Sequence, residues 1–285
     1  MVFKQPKRVK GAIERIVIPK NIAMHLNFSS ELISESMGFI YGVKKGPVAY
    51  IGASLHKNDF HKKRVNPTHV DFNKHDLKPY SQTHNQICKF GTRNFNDFLQ
   101  ICYHSHPRLN ISDLNIEQKR FLIKTYPEFS EDLGSLVENL DNSFLSEEDI
   151  DFARKYSSKG LALLSIGESN DARNNRSKSI FLKNMSKYLF GKGKNKLKGF
   201  QVKGINPIEI PVFIAEKSDN PKDSVICNEL MYHMQPMRDI ALDYYKDSMQ
   251  VVKNNHPKIY SSIISAVSKI PLIKEYKVLD ILTKR

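Results

Sequence analysis

The stretch from Glu35 to Ser54 constrains the fold most. Glu35-Ser36-Met37-Gly38-Phe39-Ile40-Tyr41-Gly42 is a strand-forming run opened by a carboxylate. Lys44–Pro47 makes a turn, and Val48–Ser54 supplies the hairpin partner. Upstream, Ile13–Pro19 alternates in polarity and reads as a strand ended by proline. Asn21–Ser34 between them carries Ile22, Met24, Leu26, Leu32 and Ile33 at helical spacing. Strand, helix and hairpin in that order indicate a mixed α/β chain.

Residues 56–92 are polar, basic and rich in His, Asn and Lys, and read as a long loop over one edge of the fold. Phe95–Gln100 reads as a short helix or turn, and Ile101–His106 as a strand that Pro107 terminates. Residues 108–144 hold two helical stretches, Ile116–Tyr126 and Asp132–Leu140. A helix then runs from Ser146 to Tyr156, and a buried strand from Gly160 to Ile166. Residues 168–199 are rich in Lys and Asn, and Phe200–Ala215 suggests two short strands around Asn206-Pro207. Residues 216–285 read as a helical extension broken near His256-Pro257.

No apolar run approaches the ~20 residues of a membrane helix, and mean hydropathy is −0.45. The basic N-terminus lacks the apolar stretch of a secretory signal. Cys88, Cys102 and Cys227 lie far apart, so they form neither a disulfide framework nor a thiolate zinc knot. These features lead us to expect a cytoplasmic protein with no membrane segment. The net charge of +14 leaves nucleic acid open as a partner. However, the Lys residues are dispersed, and the Arg and aromatic interleaving of single-strand binders is sparse.

The chemistry centres on Tyr103-His104-Ser105-His106-Pro107. Residues two apart on a strand share a face, so His104 and His106 can present their rings to one ion while Ser105 points away. The proline puts the pair at a sheet rim. Two imidazoles are one ligand short of a catalytic zinc set, and a His-x-His pair alone serves equally well on a surface or in a core. Cys102 shares the strand face and reads as a small core residue. His56, His61, His69, His75 and His84 are irregularly spaced and read as surface histidines.

Glu-x-x-Gly-Phe-x-x-Gly at Glu35–Gly42, upstream of His-Ser-His-Pro, resembles the JAMM (MPN+) zinc metalloprotease family. The resemblance covers residues 10–215 and implies a cytidine-deaminase-like curved mixed sheet flanked by helices. It assigns Glu35 as general base and requires a Ser-x-x-Asp after the histidines. Close by, Ile111-Ser112-Asp113-Leu114-Asn115 has Asn where that Asp belongs, leaving Asp113 or Glu117 as displaced ligands. Further on, Ser146-Glu147-Glu148-Asp149 is intact and leads into a helix and an apolar strand, as in the family. Asp149 is therefore the expected third ligand, with 108–144 a helical insertion in the motif. The same four residues also make an ordinary helix N-cap with an acidic first turn.

By this resemblance His104, His106 and Asp149 hold Zn2+, and the fourth position takes a water whose pKa falls from ~16 to ~7. Glu35 accepts its proton, and Ser146 matches the oxyanion-stabilising serine. The expected substrate is a ubiquitin-like protein or its conjugates, cleaved at the modifier's C-terminus. Trimming of a sulfur-carrier-like protein is the enzymatic runner-up. Non-catalytic MPN scaffolds and the DNA-associated RadC-like branch are the alternatives, although RadC-like chains carry Asn where Ser105 stands. The C-terminal helices, Ile259–Ile270 included, are expected to pack on the main domain or a partner protein.

Overall fold

The computed structural model describes residues 3–6, 9–29, 36–57, 74–106, 116–125, 127, 131, 145, 147–166, 197–203, 206–255, 257 and 260–261. These form β1 (Arg15–Ile18), α1 (Lys20–Ser29), β2 (Ser36–Lys45), β3 (Val48–His56), α2 (Lys74–Asn94), β4 (Phe98–His106) and α3 (Ile116–Thr125). There follow α4 (Glu147–Tyr156), β5 (Leu161–Ile166), β6 (Leu197–Lys203), β7 (Asn206–Ile210), β8 (Val212–Ile214), α5 (Pro221–His233) and α6 (Gln235–Asn255).

The strands make one eight-stranded mixed sheet in the order β7-β6-β5-β4-β2-β3-β1-β8. The β2–β3 hairpin is antiparallel, β2 pairs antiparallel with β4, and β4 pairs parallel with β5. The two outermost strands, β7 and β8, are separated in the chain by Pro211 alone. The carbonyl of Pro211 accepts the Ile16 N–H at 3.0 Å. The sheet thus curls until one kinked segment, 206–214, serves both of its edges, which leaves it nearly closed. This is the curved mixed α/β architecture expected.

Strand alternation sends side chains to two cores. Ile16, Ile40, Ile51, Leu99, Ile101, Leu163, Leu197 and Ile210 line one face with Ile22 and Leu26 of α1. Phe39, Tyr41, Leu55, Phe98 and Cys102 line the other, covered by Tyr80 and Ile87 of α2 and by Leu230, Met234 and Met237 around the α5–α6 junction. Helices α5 and α6 therefore share the core of the sheet, while most of Ile259–Ile270 lies outside the described residues. Phe3 packs edge-on against Phe39, Tyr80, His84, Phe152 and Tyr156.

Glycines in β2 permit the hairpin's close approach. A Cβ at Gly38 would stand 2.4 Å from the Leu55 carbonyl oxygen, and one at Gly42 2.0 Å from that of Tyr50. The register shifts between Tyr41 and Gly42, where the strand bends.

The expected loop 56–92 is corrected over its second half, because Lys74–Asn94 is a helix. Its polar sequence hides a stripe of Tyr80, His84, Ile87 and Cys88 at helical spacing, all buried. His84 is therefore a core residue and not a surface histidine. Its Nδ1 lies 2.8 Å from the Tyr41 hydroxyl, and burial lowers its pKa to about 3. His56 is likewise buried. Its ring packs on His25 and Tyr103, and neither ring nitrogen has a hydrogen-bond partner. Phe98–Gln100 also departs from expectation, extending β4 where a helix or turn was read. Leu197–Gly199, read as insertion, belongs to β6. Residues 206–214 make β7 and β8, so among the described residues three strands, not two, precede α5 and α6.

Candidate metal centre

His104 stands near the end of β4, between Met37 of β2 and Leu164 of β5. Antiparallel pairing on one side and parallel pairing on the other fix the backbone there. His106 follows two residues on, its backbone opposite Ile166. Ser105 is fully buried, and its neighbour in β5, Ser165, donates to Asn27 Oδ1 of α1 at 3.3 Å.

Helix α4 crosses between β4 and β5 and brings Asp149 to the same rim. Asp149, Phe152, Ala153 and Tyr156 follow an i, i+3, i+4, i+7 pattern. Ala153 is fully buried and Phe152 and Tyr156 pack on the core. The carboxylate therefore lies on the sheet-facing stripe of the helix and not on its solvent face. Glu147, Glu148 and Asp149 crowd the first turn, where the helix dipole favours negative charge.

At the rim the two elements meet through the His104 and Asp149 side chains. His104 Nδ1 and Asp149 Oδ1, 45 positions apart in sequence, are 2.6 Å from each other. Side-chain exposures of 15% and 17% leave both open to a ligand yet shielded from bulk water. Met37, Cys102, Leu145, Phe152 and Ala162 wall the small cleft around them. Apolar walls lower the local dielectric and strengthen charge interactions in the cleft. The Cys102 thiol has its pKa raised by burial, partly opposed by the Ser157 hydroxyl and reinforced by Asp149. Cys102 is thus the buried core residue expected from sequence.

A metal requires donor atoms that converge and are able to part. Two donors ~2.0–2.1 Å from a tetrahedral zinc stand about 3.3 Å apart. The observed contact is shorter than that by roughly 0.7 Å, within reach of a side-chain rotation. One imidazole and one carboxylate on rigid elements supply two of the donors such an ion needs. Among the described residues no group of three His, Cys, Asp or Glu side chains converges. Glu35, Ser146, Asp113 and Asn115, and the side chains of His106 and Glu117, lie outside the described residues. Glu35 is bonded directly to Ser36, which pairs with Ser105 between the two histidines.

No protein-family model and no curated protein matches the chain. A solved structure, the solution structure of protein DSY2949 from Desulfitobacterium hafniense, is similar at a TM-score of 0.34 and 14% identity. The match covers 72% of this chain and 95% of that one. Among the described residues no helix is long and apolar enough to cross a membrane.

Proposed function

We propose that the chain is a zinc-dependent hydrolase of the JAMM/MPN+ type that cleaves an isopeptide or peptide bond at the C-terminus of a ubiquitin-like modifier. The observation that carries this reading is the His104–Asp149 contact. The family resemblance points to Asp149 across residues 108–144, and its carboxylate meets the first histidine in the fold. The curved mixed sheet and the placement of the His-x-His pair at its rim add support.

In this reading His104, His106 and Asp149 hold the ion. Bound zinc would supply a water of lowered pKa and polarise the scissile carbonyl. Glu35, one residue from the strand position opposite Ser105, accepts a proton at its carboxylate and returns it to the leaving amine. The Ser146 hydroxyl donates to the developing oxyanion; loss of such a donor costs about 3 kcal/mol. Met37, Leu145 and Phe152 restrict water. The +14 net charge suits an acidic modifier or target.

The contact atom supports a second role for Asp149. A carboxylate on Nδ1 also orients a histidine that ligates through Nε2. Zinc stoichiometry tests the whole reading: one equivalent is expected in wild type, and a wild type that binds none overturns it in favour of a non-catalytic scaffold.

A further inference from the structure

We infer that Ser157 and Ser158 are positioning residues that set Asp149 against His104, an inference that rests on the metal-site reading above. Three consecutive residues at the end of α4 bond to β4 two to four positions before His104. The Cys102 N–H donates to Ser157 Oγ at 2.7 Å, and the Gln100 N–H donates to Ser158 Oγ at 3.0 Å. The Gln100 side-chain amide donates to the Tyr156 carbonyl. Both serines are buried, at 3% and 1% exposure.

These hydroxyls occupy places a strand would otherwise fill. β5 begins at Leu161 and pairs with β4 from Cys102 onward. The N–H groups of Gln100 and Cys102 therefore reach their partners in the serine side chains that precede β5. The helix end is thereby tied to β4 in fixed register. Asp149 lies seven residues back along α4, about 10 Å at 1.5 Å per residue. His104 lies four residues on from Gln100, about 13 Å at ~3.3 Å per residue. The two spans, counted from the Tyr156–Gln100 bond, agree to within about 3 Å, so clamping α4 at its C-terminus brings its first turn near the histidine. Lys159 and Gly160, both at positive φ, turn the chain into β5 immediately after the clamp. A Cβ at Gly160 would meet the Val202 carbonyl oxygen at 2.7 Å.

Neither serine is among the residues that wall the cleft, so their effect on metal would pass through the placement of α4 and its Asp149. The test compares zinc affinity, by competition with a chromophoric chelator, in wild type, the Ser157→Ala/Ser158→Ala double variant and Asp223→Asn. Asp223 lies away from the site and serves as a control for general loosening. The expected result is a ~10- to 100-fold weaker affinity in the double variant, the range for residues that orient ligands, with wild-type affinity in Asp223→Asn. Undiminished affinity in the double variant, or equal weakening in the control, overturns the inference. If the double variant does not fold, Ser157→Ala and Ser158→Ala alone carry the same comparison. A wild type that binds no zinc overturns the site reading itself, and the inference with it.

Discussion

Arg15 and Asp223, 208 positions apart, meet in a two-pronged ion pair of 2.7 and 3.1 Å. Asp223 is fully buried and also accepts from the Tyr50 hydroxyl at 2.8 Å and the Ser218 hydroxyl at 2.6 Å. The pair pins α5 to β1 and β3. Removing one partner of a buried pair costs about 3–5 kcal/mol. Asp223→Ala should lower stability by roughly 3 kcal/mol in urea denaturation, whereas a loss below ~1 kcal/mol would mark the pair as a surface contact.

Acid should weaken the fold through His84. Burial holds its pKa at about 3, against an ordinary value of 6.5. Between those values the unfolded chain binds one proton more, so stability falls as pH drops, by up to about 1.4 kcal/mol per pH unit. His56, lowered by burial and by His25, adds in the same direction. Asp223 acts below pH 3.8: burial alone would raise its carboxyl, but hydrogen bonds from Ser218, Arg15 and Tyr50 outweigh this and lower it. Its contribution is therefore lost as pH falls through its lowered value. Denaturation across pH 4–6 should show a slope smaller by about one proton in His84→Gln.

Gly42→Ala should destabilise by at least ~2 kcal/mol, because overpacking of this kind costs 1–3 kcal/mol and here the obstacle is backbone. The Cβ would meet the Tyr50 carbonyl oxygen at 2.0 Å. Gly46, where a Cβ meets nothing within 4 Å but φ is +59°, should cost less on the same substitution. Thermal melts of the two variants check the order.

Zinc binding separates the roles assigned at the rim. Asp149→Asn should abolish stoichiometric zinc if the carboxylate is a ligand, and weaken it only ~10- to 100-fold if it orients His104 through Nδ1. Glu35→Gln should keep zinc and lose hydrolysis of a modifier conjugate; retained turnover excludes Glu35 as base. Asp113→Asn should keep zinc, and loss of metal in that variant alone would transfer the ligand role to Asp113.

The thiols should be inert in the native state. Cys88, Cys102 and Cys227 are all buried, and burial raises each pKa, that of Cys88 and Cys227 to about 12. A chromogenic disulfide reagent should label none of the three before unfolding and all three in denaturant. Fast native labelling of any of them would contradict this burial.

Much of this was legible in sequence because the signals were local. The β2–β3 hairpin, α4 and β5 carry their own periodicity, and Pro107 marks the end of β4. The sheet-facing stripe of α4 begins with Asp149, so a helical wheel over 147–156 places that carboxylate toward the sheet. Helix α2 is hidden in the sequence because polar residues and Pro79 interrupt its periodicity, while its buried stripe includes a histidine and a cysteine. The clamp at Ser157 and Ser158 left no local trace. Serine after a helix reads as a turn, and only the pairing register of β4 with β5 reveals the amides it serves.

The kinked segment 206–214 has a further consequence for how the chain reaches its native state. Ile16 of β1 pairs with Val212, while β7 pairs back onto β6. The outer side of the first strand must therefore wait for nearly two hundred residues to be made and arranged. Contacts of such sequence separation are slow to form, since loop closure precedes the reward of pairing. Sheet closure is thus expected late in folding, with the rim that carries His104, set by β2, β4 and β5, free to assemble before it.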